Sequence, residues 1–237
     1  IPDIHNHTAA VENLLASQPH DSVVFLGDYF DSYGDTANDA RRTAEWLRES
    51  LERPERIHLL GNHDMPYAFP DTPDLYCPGW SPEKHLVVAE ILHARHWERM
   101  RLTHTIGRLL CSHAGVSRRT FEHPLLGLTA EVVIRTCARA LVGARGGLMH
   151  PALAWSAVPD DGTSGITWLR WWEMEVHPEF CQAVGHTPGG LRVEQHGGSF
   201  NVCFDTHGAW IGVVEDGTLS ALEPATGTLR SIGSIQP

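Results

Sequence analysis

Five short polar motifs recur along this chain, three of them where an apolar run ends, and that pattern restricts the fold more than any other feature. In order they are Asp3-Ile4-His5-Asn6, Gly27-Asp28-Tyr29-Phe30-Asp31, Gly61-Asn62-His63-Asp64, Ser112-His113-Ala114-Gly115 and Gly185-His186-Thr187-Pro188. Val23-Val24-Phe25-Leu26, Ile57-His58-Leu59-Leu60 and Leu109-Leu110-Cys111 lead into the middle three. Short runs of this kind are the signature of strands buried on both faces. A polar residue just past the end of such a strand stands at the rim of the sheet, where open α/β folds hold ligands. Asp, Asn and His brought together there make an oxygen and nitrogen donor set, which suits Mn, Fe, Zn or Co better than a soft metal.

Such a sheet needs a core, and 237 residues with 42% hydrophobic content are enough for one large α/β domain spanning residues 1–237, with no linker dividing it. The net charge of −11, from 18 basic and 29 acidic residues, argues against a broad nucleic-acid surface, which needs clustered Lys and Arg. The five Cys are odd in number and contain no Cys-x-x-Cys, so neither a disulfide framework nor a structural zinc site is expected. Cys111, Cys181 and Cys203 lie in apolar runs and read as core residues; a reducing, cytoplasmic compartment fits them. No run reaches the length of a membrane span and no signal peptide is visible. The chain opens at Ile1-Pro2-Asp3 with almost no strand before the first motif, so an incomplete first strand is expected.

Periodicity predicts helices from Thr8 to Ser17 with Thr8 as cap, from Asn38 (cap) to about Leu51, from Pro82 to about Trp97 with Ser81 as cap, and from Ala130 to Val142, ended by Gly143. Strands are predicted at 23–26, 56–60, 101–105, 108–112, 181–184, 191–195, 200–204, 210–214 and 218–222, with hairpin turns at Gly197-Gly198 and Asp216-Gly217. The early strand–helix–strand order implies parallel pairing, and the late strands are expected to form an antiparallel second sheet. Residues 65–82 hold five Pro with Tyr67, Phe69, Tyr76 and Trp80, a composition read as irregular. This insertion is either a wall over the site or a surface loop pinned by its aromatics. Trp168, Trp171 and Trp172 read as core packing.

Gly-Asn-His-Asp after a strand is a specific signal, and the ordered set of five resembles the calcineurin-like metallophosphoesterases. Within them it is most similar to the branch of Ser/Thr protein phosphatases and symmetric dinucleoside-tetraphosphate hydrolases. The resemblance spans residues 3 to 187, with Asp205 as a possible extension. It implies a four-layer α-β-β-α sandwich in which two mixed β-sheets are flanked by helices. It further implies two divalent metals, Mn foremost with Fe, Zn or Co as alternatives. Asp3 and His5 would hold the first, Asp28 would bridge, and Asn62, His113 and His186 would hold the second. A metal-bridging hydroxide would attack phosphorus directly, His63 would protonate the leaving oxygen, and Asp31 would orient His63.

The chain departs from the family pattern at three places. Gly185-His186-Thr187-Pro188 lacks the second His of the common Gly-His-x-His motif. Ser32-Tyr33-Gly34 replaces the Arg-Gly that usually follows the Asp at position 31. Asp64 stands where protein phosphatases usually have Glu. A substitute phosphate clamp is expected, with Arg170 as the candidate and Arg118 and Arg119 as rivals. The Leu153-Ala154-Trp155-Ser156 stretch is similar to a family segment near the site. Asp35 reads as a turn residue, and Asp205 as a turn or a site residue. The resulting expectation is a phosphohydrolase acting on a phosphorylated small molecule, a nucleotide or a phosphoprotein. A phosphodiesterase or nuclease of the same fold is the alternative, and an inactive scaffold ranks below both.

Overall fold

The computed structural model describes residues 1–155 and 161–236; Ser156 of the Leu153–Ser156 stretch lies outside them. In chain order the elements are α1 (Thr8–Ser17), β1 (Val23–Phe25), α2 (Ala37–Leu51), β2 (Arg56–His58), α3 (Met65–Ala68), α4 (Pro82–Ala89), α5 (Ala94–Trp97), β3 (Thr103–Ile106), β4 (Leu109–Ser112), α6 (Arg118–Phe121), α7 (Ala130–Arg145), β5 (Cys181–Val184), β6 (Arg192–His196), β7 (Ser199–Cys203), β8 (Ile211–Glu215), β9 (Thr218–Glu223) and β10 (Thr228–Ser234). Strands β1 and β2 pair in parallel, and Ile1 extends them through bonds to Val24 and Leu26. The five-stranded sheet β3-β4-β5-β7-β6 is mixed, parallel at β4–β5 and β5–β7 and antiparallel at its margins. Strands β8, β9 and β10 form an antiparallel sheet.

The alternation along β1 explains how the layers stack. Val23 and Phe25 point into a core shared with Ala44, Leu47 and Leu51 of α2 and Val11 of α1, while Val24 points the other way. That second face meets Leu109, Cys111, Cys181, Ala183, Phe200, Val202, Leu219 and Ile232, so strands from different sheets pack face to face. On β2, Arg56 and His58 turn toward the helices, where Arg56 forks onto Glu12 of α1 at 2.5 and 2.9 Å and His58 stacks on Phe25 at 4.7 Å. The result is an α/β fold of mixed sheets flanked by helices, as the sandwich expectation requires.

Several local expectations are corrected. His7, not Thr8, precedes α1, and Thr36, not Asn38, caps α2 through a reciprocal pair of bonds with Asp39. The segment after residue 82 breaks into two helices because His93 starts a new turn, with its N–H donated to His96 Nδ1 at 2.8 Å. Helix α7 continues through Gly143 to Arg145, where burial of Leu141 and Ala144 offsets the roughly 1 kcal/mol that an interior glycine costs. The insertion is not irregular throughout: Met65–Ala68 is helical and Pro73–Leu75 a 3-10 turn, each with a proline in its first turn, where no N–H is missed. The late strands are not all antiparallel, since β5 and β7 join β4 in parallel. Strand β10 was not expected at all. Among the described residues no helix is long and apolar enough to cross a membrane.

Candidate active site

The motif residues converge at the carboxyl ends of parallel strands. Asp28 follows β1, Asn62 follows β2, His113 follows β4 and His186 follows β5, while Asp3 and His5 lie on the segment beside β1. Glycines make this convergence possible. A Cβ on Gly61 would fall 2.1 Å from Asp28 Oδ1, one on Gly185 2.1 Å from Asp3 Oδ2, and one on Gly27 2.3 Å from the Gly61 nitrogen. Asp3, His5, Asp28, Asp31 and His186 all have positive φ, between 42° and 66°. Non-glycine residues adopt that region uncommonly, and residues held there cluster at functional sites.

Two donor trios share Asp28: Asp28 with His113 and His186, and Asp28 with Asp3 and His5. In each trio the proton positions are set by backbone carbonyls. His113 Nδ1 lies 2.9 Å from the Leu26 oxygen and His5 Nδ1 2.9 Å from the Phe30 oxygen, so in each ring Nδ1 donates to a carbonyl and Nε2 faces inward. His113 Nε2 stands 2.9 Å from Asn62 Oδ1, 3.2 Å from His186 Nδ1 and 3.4 Å from Asp28 Oδ2. His5 Nε2 is 3.8 Å from Asp28 Oδ2.

The electrostatics complete the picture. Burial alone would raise the Asp28 carboxyl, but His113, His63, His5 and His186 bring it down to about 2. Burial lowers His113, and burial with the neighbouring His113 takes His186 to about 3, so both are neutral. Burial first, then Asp205 and Asp28, push the Asp3 carboxyl up. Ionised carboxylate, neutral imidazoles and an amide oxygen are the ligand states a divalent cation requires. Their lone pairs face one another and their carboxylates repel, which a cation would relieve, so these residues fit a pair of metals. Asp205 follows β7, is buried, and with burial helps to push the Asp3 carboxyl up.

Beside the trios, His63 Nδ1 meets Asp31 Oδ2 at 3.3 Å, and the His63 N–H donates to Asp28 Oδ1 at 2.9 Å. Burial would lower His63, but Asp31, Cys77 and Asp28 raise it to about 11. The insertion reaches this pair through Tyr67, which donates to Asp31 Oδ1 at 2.7 Å, and Lys84 Nζ of α4, just past the insertion, donates to the same oxygen at 3.1 Å. Lys84 also bonds Asp35 and the Gly79 carbonyl. Asp35 is therefore more than a turn residue.

Tyr67, Cys77 and Lys84 were missed by sequence reasoning, as was the role of Asp64. That carboxylate accepts the N–H groups of Asp28, Tyr29 and Gly61, each at 2.8 Å, and so ties the β1 and β2 loops together. The aspartate at the end of Gly-Asn-His-Asp was the available signal.

Of the arginine candidates, Arg118 pairs with Glu122 and Glu175, and Arg119 donates to the Asp161 carbonyl. The Arg170 guanidinium lies 5.7 Å from the Trp172 ring centroid, and the next residue's N–H bonds Thr187 of the His186 motif at 3.0 Å. The tryptophans are not all core: Trp172 is exposed, while Trp168 lies edge-on to His186 at 5.9 Å.

A search of curated proteins returned no match. Among solved structures, the chain is similar to a metallophosphoesterase from Sphaerobacter thermophilus, at 17% identity over 99% of this chain and 86% of that one, with a TM-score of 0.43. It is also similar to a protein serine/threonine phosphatase from Saccharomyces cerevisiae, at 17% identity over 100% of this chain and 79% of that one, with a TM-score of 0.46. Residues 1–209 match the family model described as calcineurin-like phosphoesterase, and on that match over most of its length the chain belongs to the calcineurin-like phosphoesterase family.

Proposed function

We propose that this protein is a dinuclear metal-dependent phosphohydrolase that cleaves a phosphomonoester or a small nucleotide or phosphoprotein substrate. The observation that carries the reading is Asp28 placed between two histidine-containing trios, with the His63–Asp31 pair directly beside them. Asp3, His5 and Asp28 would hold one divalent cation, and Asp28, Asn62, His113 and His186 the other; Mn fits, as do Fe, Zn and Co. Such a pair, when bound, activates water and neutralises phosphoryl oxygens.

The chain's own residues do the rest. Asp28 is kept ionised, and His113 and His5 are kept in one tautomer by the Leu26 and Phe30 carbonyls. His63 carries the proton for the leaving oxygen. Asp31 fixes the His63 ring from the Nδ1 side, so that Nε2 is the donating atom. Arg170 is the phosphate clamp in this reading, which is supported only by the bond of the next residue's N–H to Thr187 in the His186 motif. An inactive scaffold would have no use for a histidine at the cleft held by a buried aspartate that has its own tyrosine and lysine supports.

The test is a paired assay on one Mn-loaded preparation with para-nitrophenyl phosphate and its bis-ester. Monoester hydrolysis well above diester hydrolysis supports the reading. Preferential diester hydrolysis assigns the phosphodiesterase activity instead. Silence on both with two metals bound refutes the enzymatic reading for simple esters. His63→Ala should lower turnover about 100-fold or more while leaving two Mn per chain bound.

A further inference from the structure

A third donor cluster lies next to the two that share Asp28 and has no residue in common with them: Asp31, His63 and Cys77. His63 Nδ1 is 3.3 Å from Asp31 Oδ2 and 3.5 Å from Cys77 Sγ, and the three donor atoms lie within 4.8 Å of one another. Ligands bound tetrahedrally at about 2.0–2.3 Å from one zinc ion stand roughly 3.3–3.8 Å apart, so small side-chain shifts would close this cluster on a cation. Its chemistry differs from that of the neighbouring trios. A thiolate, an imidazole and a carboxylate form a set that selects zinc, whereas the trios are all oxygen and nitrogen.

Charge and access agree with this. One thiolate and one carboxylate balance a divalent ion. Lys84 engages Asp31 through Oδ1 and leaves Oδ2 to face His63, and the Lys84 charge is itself matched by Asp35. The Asp31 side chain is fully buried and Cys77 nearly so, but His63 is 20% exposed, which gives entry from the cleft. In the proposed reaction Cys77 has no role beyond its contact with His63.

We propose that Asp31, His63 and Cys77 form an inhibitory zinc site within the active site. Binding releases two protons, one from the Cys77 thiol and one from His63 Nδ1. It exchanges the His63–Asp31 bond for two metal bonds. With zinc on Nδ1, Asp31 no longer orients the His63 ring toward the leaving oxygen, so the leaving group loses its positioned proton donor. The inhibition rests on the phosphohydrolase reading; the binding does not.

The test has two arms. In a Co2+ titration of the metal-free protein, a thiolate-to-cobalt charge-transfer band should develop with the third equivalent in the wild type and be missing in Cys77→Ser. In the Mn-loaded enzyme, excess Zn2+ should slow phenyl phosphate hydrolysis about 100-fold, the loss expected for a general acid, and Cys77→Ser should need at least ten times more Zn2+. No band at three equivalents, or equal inhibition of the variant, overturns the proposal. If Cys77→Ser does not fold, X-ray absorption at the zinc edge of the wild type decides, since a sulfur neighbour at about 2.3 Å is required. A protein with the band but no turnover keeps the site and refutes the phosphohydrolase reading.

Discussion

Replacing Asp64 with Asn tests whether one buried carboxylate holds the loops of the candidate site together. Asp64 is fully buried and its two oxygens accept three backbone N–H groups, from Asp28 and Gly61 on one oxygen and Tyr29 on the other. An asparagine can keep its oxygen where two donors converge, but its NH2 then faces the Tyr29 N–H. Two buried donors are left without acceptors, at about 1–3 kcal/mol each, and the two surviving bonds lose their charge assistance. Relief of repulsion with Asp28, which pushes the Asp64 carboxyl up after burial does, offsets part of this. The net expectation is a loss of about 2–5 kcal/mol, or roughly 4–20 °C in Tm for a domain of this size. The assay is urea and thermal unfolding of both proteins in chelator, so that metal affinity does not enter. A variant that melts within 2 °C of the wild type would refute the reasoning and reduce Asp64 to a bystander.

Glu12→Gln should cost about 1–3 kcal/mol in urea unfolding, because it weakens the partner of the buried Arg56 guanidinium; the figure is discounted for the 37% exposure of Glu12. An unchanged denaturation midpoint would count against it. His58 is held neutral by burial, which takes it to about 3, so its contribution to stability is complete above about pH 6.5 and is lost as pH falls toward 3. Between pH 6.5 and 5 this amounts to about 2 kcal/mol, and His58→Gln should lose less stability than the wild type over that interval; parallel pH profiles would contradict the assignment. Gly185→Ala puts a methyl 2.1 Å from Asp3 Oδ2, so the fold should persist while Mn affinity, measured by calorimetry, falls about tenfold or more. Wild-type affinity in that variant would show that Asp3 is not a ligand.

The motifs were legible because their chemistry is local. A strand, a glycine and a candidate donor sit within a few residues, and the glycines proved to be the places where a Cβ would strike that donor or the neighbouring loop. What was not legible depends on partners far apart in the chain. Lys84 sits in the first turn of a helix, where a lysine ordinarily stays solvated, and only the fold brings it to Asp31, 53 residues away. Asp64 carries the same composition signal as a ligand, yet its acceptors are filled by backbone from two loops. Strand β10 was missed because most of its residues are exposed, so no apolar run marks it. The break between α4 and α5 arises from His93 and His96 bonding each other, a pairing that helical periodicity does not encode.

The same contrast explains why the site is built from strained backbone. Five residues of the proposed site have left-handed conformations that cost on the order of 1–3 kcal/mol each. They hold because neighbouring chain segments over-determine them. The His5 N–H bonds the Asp28 carbonyl, the Gly185 N–H bonds the His113 carbonyl, and the His186 N–H bonds Asp3 at 3.0 Å. Each of these links one motif to another, so no motif can relax without displacing the next. The donors are thus set in place before any ion arrives. Because the strain is carried by mutual bonds and not by any one residue, composition reveals the candidate donors but not the frame that aims them.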